Sequence, residues 1–279
     1  MNTKPINPLV KHFRSPAIYF KLPSNGTFWE EGTLDLPVTG ELPIYPMTTS
    51  DEITLKTPDA LLNGQGVVSV IHSCCPNIRD AWKMPTVDVD ATLIAIRIAS
   101  YGKSMPISST CPHCNEDHDY DIDLTGLISQ VKAPDYNSTV DYKGLKIKLK
   151  PQNYFSVNRS NIAAFEEQRI LDTLIDKDMD EDVKNAKLAK SMANMLEANL
   201  NLLVNSTEYV ETEDSVRVKE IEFIKEFYQN SESQLTKRIE EKLSEFAKEG
   251  ALPPIHLGCS GCSKEYDTPL EFDYARFFA

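Results

Sequence analysis

The chain has little of what membrane proteins, secreted proteins and nucleic-acid-binding proteins require. Its longest apolar runs, residues 66–71 and 91–99, are too short to cross a bilayer, and residues 1–8 lack the continuous apolar segment of a secretory signal. The 29 basic residues are outnumbered by 42 acidic ones, and a net charge of -13 repels phosphate backbones and anionic lipid surfaces. We therefore expect a protein made in a reducing cytoplasm, with neither nucleic acid nor a membrane as a main partner.

Motifs for enzymatic chemistry are scarce as well. The 279 residues contain no G-x-S-x-G, no H-E-x-x-H and no dinucleotide-binding fingerprint, and only five histidines for acid–base work. Four aspartates alternate along a predicted strand, which is typical of a solvated strand face; a metal-dependent nuclease centre is the alternative. They are Asp117, Asp119, Asp121 and Asp123. We expect no enzymatic activity, and we predict no catalytic and no organic-cofactor-binding residues.

Four of the six cysteines form two C-x-x-C motifs, Cys111-Pro112-His113-Cys114 and Cys259-Ser260-Gly261-Cys262. Two such turns facing each other would supply the four thiolates of a tetrahedral Zn²⁺ site, which leaves no position for water or substrate and is therefore structural. A strand with alternating residues follows the first motif over residues 119–124, and a looser one follows the second over 266–272. The sequence thus predicts a zinc ribbon with Cys111, Cys114, Cys259 and Cys262 as metal ligands.

The alternative for these cysteines is a pair of unrelated redox motifs. Redox C-x-x-C motifs normally open a helix in a strand-helix-strand unit, and neither motif here does. Three histidines lie within or beside the motifs, but with four cysteines available we expect them to be bystanders: His113, His118 and His256. The adjacent Cys74 and Cys75 cannot easily bind one metal together, and we expect both to be buried.

About 144 residues separate the two motifs, so one metal ion would clamp the ends of a long insertion. The predicted fold class is α+β: an N-terminal mixed α/β domain and a discontinuous zinc ribbon interrupted by a mainly helical insertion. The predicted divisions are an extended arm at 1–32, the N-terminal domain at 33–108, the split ribbon at 109–126 and 255–279, and the insertion at 127–254. The proline-punctuated arm is a candidate docking element.

Several local elements follow from residue patterns. Residues 33–38 and 42–46 flank a Thr-Gly-Glu turn and predict a hairpin, and residues 88–90 predict the cap of an almost wholly apolar helix. Residues 145–149 predict a half-buried strand whose lysines lie on a sheet edge. Four helices are expected between 156 and 250, with an acidic turn at 176–182. The last helix is predicted to begin at a capping box, Ser231-x-x-Gln234.

The order of several short motifs resembles the baseplate hub family of contractile-tailed, T-even-like bacteriophages, which comprises hub subunits and hub assembly proteins. The resemblance covers most of residues 40–279 and is carried by order, because each motif consists of common residues. The motifs are Pro46-Met47-Thr48, Asp51-Glu52, Leu55, Pro58 to Leu62, Gly64, Val70-Ile71, Cys74, Ile78, Asp80, Asp90, Leu93, Ile96-Arg97, Ser100-Tyr101-Gly102, Ile221-x-x-Ile224-x-x-Phe227, the two C-x-x-C motifs and Phe277-Phe278.

This resemblance implies a non-enzymatic structural or assembly component of a phage tail baseplate, located in the virion and acting through contacts with other baseplate or tail proteins. A transient hub-assembly chaperone absent from the virion is the first alternative. A zinc-ribbon nucleic-acid adaptor is the second. Association with further copies of the chain is left open.

Overall fold

The computed structural model describes residues 7–57, 63–174, 181–269 and 277–278. Within these ranges the chain forms eight α-helices, two 3-10 helices and small antiparallel sheets. The α-helices are α1 Thr49–Leu55, α2 Gln65–Cys74, α3 Thr86–Tyr101, α4 Leu124–Gln130, α5 Tyr154–Leu174, α6 Glu181–Asn205, α7 Ile221–Gln229 and α8 Ser233–Gly250. The strands are β1 Ile18–Phe20, β2 Leu42–Ile44, β3 Ser104–Thr110, β4 Asp117–Asp123, β5 Thr139–Tyr142, β6 Leu145–Leu149, β7 Thr207–Glu211, β8 Arg217–Val218, β9 Ile255–Gly258 and β10 Glu265–Thr268.

Helix α3 is the centre of the N-terminal core. Its residues 93–96 are fully buried, and they pack in one apolar cluster with residues from α2, β2 and the chain end at Phe277 and Phe278. The apolar helix predicted here is confirmed, but its predicted cap is wrong. The helix begins at Thr86 after Pro85, and Asp88 lies in its first turn. Pro85 is at the N-cap position, and no side-chain cap is formed because its ring has no oxygen that could accept a hydrogen bond.

The hairpin predicted from residues 33–38 and 42–46 is wrong. Strand β2 pairs instead with β1, Ile18 lying opposite Ile44, while Leu34 forms an isolated bridge with Ile78. The reason is burial: Leu42 and Ile44 have no exposed surface, and this long-range pairing places them in the N-terminal core. The turn signal near Gly40 marks only a surface loop.

Residues before β2 are held against this core by polar contacts. Arg14 donates hydrogen bonds to the carbonyl oxygens of Pro46 and Ser73, both at 2.7 Å. The carboxylate of Asp88 accepts from the Ser24 backbone N–H at 2.9 Å, the Ser24 hydroxyl at 2.5 Å and the Trp29 indole at 2.8 Å. Residues 14–29 therefore pack on the N-terminal core, and the division of the chain into domains stays a prediction.

A second core lies within residues 136–246 and combines the sheet β5-β6-β7-β8 with α7 and α8. The strand predicted at 145–149 is confirmed as β6, but it lies between β5 and β7, so its lysines are on a sheet face and not at an edge. Strands β5, β7 and β8 were not predicted. The capping box is also wrong, because α8 begins at Ser233 and the Ser231 hydroxyl donates to the carbonyl of Phe227.

Helices α5 and α6 are the two longest of the eight and pack on each other. Much of α6 is exposed before Leu203, which is buried in the second core. Most of the acidic turn predicted between the two helices lies outside the described residues. None of the helices in the described ranges is long and apolar enough to span a bilayer.

Candidate metal centre

The two C-x-x-C motifs are the tips of two similar hairpins. Strands β3 and β4 pair antiparallel and join through Cys111 to Cys114, and β9 and β10 join in the same way through Cys259 to Cys262. The Cys111 N–H donates to the carbonyl of Glu116 at 2.9 Å, and the Cys259 N–H donates to that of Lys264 at 2.9 Å. The two motifs thus form turns with the same backbone hydrogen bond.

The residue after each motif closes the turn. Asn115 donates its N–H to the carbonyl of Cys111, and Ser263 donates to that of Cys259, each at 2.9 Å. Both residues have left-handed backbones, with φ of 64° and 59°. This region is strained for most L-residues but tolerated by asparagine. The matching bonds leave all four thiols on the inner side of the paired tips.

The four sulfur atoms converge. The Sγ atoms of Cys111 and Cys262 are 3.8 Å apart, those of Cys114 and Cys259 are 3.6 Å apart, and all four lie within 4.8 Å of one another. Zinc–sulfur bonds of about 2.3 Å in a tetrahedron place sulfurs about 3.8 Å apart. The cluster therefore has the donor set and spacing that suit a tetrahedral metal ion, and all four cysteines are free of disulfides.

The four cysteines are part of a small apolar cluster. Cys111 and Cys259 are buried together with Leu257 and Tyr266, while Cys114 and Cys262 are partly exposed. Backbone N–H groups of His113 and Cys262 point at the sulfurs of Cys111 and Cys259, each at 3.4 Å. Such N–H groups stabilise thiolate charge, which a metal ligand requires.

His118 lies closer to this centre than its prediction as a bystander suggested. Its Nε2 is 3.3 Å from the Cys259 sulfur, its Nδ1 is 3.1 Å from the Ser260 hydroxyl, and Glu116 lies 3.7 Å from Nε2. Cys114, Glu116 and His118 form a second group close enough to share an ion. The alternation along β4 could have indicated this position of His118. His118 and Tyr120 are on the same face of the strand, and Tyr120 contacts Tyr266 of the other hairpin.

His256, the histidine beside the second motif, has different neighbours from those of His118. His256 lies on the exposed side of β9, where Asp267 at 2.9 Å and Glu265 at 3.3 Å raise its pKa by hydrogen bonding to the charged ring.

Cys74 and Cys75 are buried in the N-terminal core, as predicted, and burial raises the pKa of each thiol to about 12.

The alternating aspartates lie along β4 on its exposed side. Asp117 accepts a hydrogen bond from Thr110 and Asp119 one from Ser108, each at 2.6 Å, and Asp123 caps α4 through the Thr125 N–H. Neither of the metal-capable groups found among the described residues includes them. Asp117, Asp119 and Asp123 thus each have a separate hydrogen-bond partner, and Asp121 is exposed, as expected for a solvated strand face.

A family model described as T4 bacteriophage base plate protein matches residues 17–279, which include both cysteine pairs and both cores. The chain belongs to this family. The baseplate resemblance seen in the sequence is thereby confirmed. No curated protein and no solved structure matches the chain. Membership indicates a structural tail or baseplate protein with other phage tail proteins as partners, and it implies a location in the virion tail.

Proposed function

We propose that this baseplate protein is a non-enzymatic component of the hub region and acts by presenting rigid docking surfaces to neighbouring tail proteins. The observation that carries the proposal is the family match over residues 17–279. Two features of the structure support it: a cysteine cluster that joins distant parts of the chain, and an exposed apolar surface on the longest helix, α6.

In this proposal Cys111, Cys114, Cys259 and Cys262 hold one structural Zn²⁺ and form a zinc ribbon split between 109–126 and 255–279. The ion would supply folding free energy and would fix the two ends of the insertion, 127–254, to each other. The insertion and the N-terminal domain, 33–108 with the arm at 1–32, then move as one body. Sulfur spacing and burial support this assignment.

The surface that we assign to protein contacts lies on α6, which packs on α5. Where these helices meet, the contact is polar: Asn194 donates to the Glu167 carboxylate at 2.5 Å, and Ser191 is buried. Large apolar side chains point outward instead. They are Met192 56%, Met195 56% and Leu196 73% exposed, at helical spacing on α6. We call these three residues the helical-pair surface.

This arrangement reverses the usual one, in which a helix pair buries its apolar stripe. Contiguous exposed apolar side chains mark sites of protein interaction. A partner that covers the helical-pair surface would stabilise helices that otherwise bury little. The net charge of -13 further favours a protein partner over nucleic acid.

The proposal is tested by tail assembly with a double variant, Met195→Glu with Leu196→Glu. Because both side chains are exposed, the isolated protein should fold normally, and incorporation into tails should fall at least about tenfold. The control is Val38→Glu, since Val38 is 108% exposed and distant from these helices in sequence. Wild-type incorporation of the double variant would contradict the proposed surface.

Purified tails also distinguish between two roles of the protein, a resident hub subunit and a hub-assembly chaperone. A resident subunit is present in purified mature tails, whereas a hub-assembly chaperone is required for assembly and is absent from them. Quantitative mass spectrometry of the tails decides between the two.

A further inference from the structure

A cleft of about 630 Å³ lies between the first half of α3 and most of the length of α5, close to Asn63. Its volume is in the range of pockets that bind ligands or side chains of partners. Apolar side chains form most of its wall, among them Val89, Val157 and Phe165, and the carboxylate of Asp90 is at its lining. The cysteine cluster does not take part in it.

Asp90 is unusual among the carboxylates of this region. Within the part of the chain that the structure describes, Asp90 has neither a hydrogen-bond partner nor an ion-pair partner. Asp88, two residues earlier on the same helix, accepts three hydrogen bonds. Burial raises the pKa of Asp90 to about 6, and the charge of Asp90 adds to the effect of burial in raising the pKa of Tyr154 to about 12.

A partly buried carboxylate without a partner destabilises the fold that contains it. A cation that entered the cleft would remove this cost. The apolar wall suits the aliphatic stem of a long basic side chain, whose charged end would then reach Asp90. Asn158 and Asn161 also line the cleft, and their amide oxygens can accept further hydrogen bonds from N–H groups.

Two other charged residues line the cleft, Glu166 and Arg169. Glu166 adds negative charge. Arg169 is the internal competitor, because its own guanidinium could pair with Asp90, although no such ion pair is present in the structure. The experiment must therefore separate an external cation from this internal one.

We propose that the cleft binds an arginine or lysine side chain projecting from a neighbouring tail protein, with Asp90 as its counter-ion. The identity of the neighbour rests on the proposed function. The cleft itself does not, because a small probe can test it in the isolated protein. The acidic surface of the whole chain favours approach of basic segments.

The probe is N-acetylarginine methylamide, followed by NMR of the valine methyl groups of the full chain. Saturable shifts at Val89 and Val157 are expected, and the neutral isostere N-acetylcitrulline methylamide should bind at least tenfold more weakly. Asp90→Asn should weaken binding of the arginine probe by the same factor. The matched control is Asp119→Asn, because Asp119 is exposed on β4 and should leave binding unchanged.

Four results would overturn the proposal. The first is equal affinity for the charged and neutral probes, and the second is undiminished binding by Asp90→Asn. The third concerns Arg169→Ala: if the probe binds only after this change, the cleft belongs to the chain's own arginine. Absence of binding to both the wild type and Arg169→Ala also overturns it. None of these results depends on tail assembly, so they leave the proposed hub function untouched.

Discussion

The N-terminal core and the cysteine centre are stabilised in different ways. The first is a large apolar cluster built from α2, α3, α4, the β1-β2 pair and the chain end, whose burial alone provides a strong driving force. The second lies between two two-stranded hairpins, where a separate cluster contains only four buried residues, two of them cysteines. Two further buried residues of β3-β4, Met105 and Ile122, belong to the first core. Isolated hairpins are marginal in water. In our proposal, a metal ion takes the place of an apolar core in the second region.

The largest expected effect is on the cysteine centre. Cys259→Ala should abolish zinc binding and unfold both hairpins, because structural zinc contributes about 10 kcal/mol or more to folding of such sites. Limited proteolysis should then cleave within β3-β4 and β9-β10. The control is Cys75→Ala in the N-terminal core, which should cost about 1 kcal/mol and retain zinc. Full zinc content in Cys259→Ala would contradict the proposal that these cysteines stabilise the second region by binding zinc.

The next effect is on the chain end that returns to the N-terminal core. Phe278 is buried, and the neighbouring Phe277 carbonyl accepts a hydrogen bond from Arg97. Phe278→Ala should lower the free energy of unfolding by about 3 kcal/mol through lost burial and a cavity. Phe165→Ala, at an exposed site, should change it by less than about 0.5 kcal/mol. Urea denaturation measures both, and equal effects would show that the chain end is not part of this core.

A smaller effect depends on pH. Burial raises the folded-state pKa of Asp90 to about 6, above the unfolded value near about 4. The folded state then holds the proton more tightly, so the contribution of Asp90 to stability is full below about pH 4 and is lost as pH rises through 6. Asp90→Asn should remove about 2–3 kcal/mol of this fall, seen as a flatter profile of Tm against pH. An unchanged profile would refute the burial of this carboxylate.

The smallest effect compares the two cysteine turns. Ser263 and Asn115 occupy equivalent left-handed positions, and asparagine tolerates this conformation better than serine. Ser263→Asn should therefore raise the free energy of unfolding of the zinc-loaded protein by about 0.5 kcal/mol, and Asn115→Ser should lower it by about the same amount. Changes of the same sign in both variants would show that the turns are not equivalent.

Local patterns in the sequence predicted what depends on local chemistry. The four helices of the insertion, strand β6, the buried helix α3 and the burial of Cys74 and Cys75 were all indicated by periodicity or residue type. The pairing of β1 with β2 was not, because partners about 24 residues apart are selected by the burial of Leu42 and Ile44, which no local pattern records.

The candidate metal site shows the same limit. The two C-x-x-C motifs indicated that four thiols would meet, and the sulfur positions agree with that expectation. The position of His118 against Cys259 depends on how two hairpins from distant parts of the chain pack together. Likewise, the unpaired Asp90 is visible only once α5 lies beside α3.

Zinc-edge X-ray absorption on the purified full chain tests the central claim most directly. We predict about one zinc ion per chain with four sulfur neighbours at about 2.3 Å. A metal-free protein that keeps both hairpins folded, or a shell in which nitrogen or oxygen atoms replace sulfurs, would contradict the account.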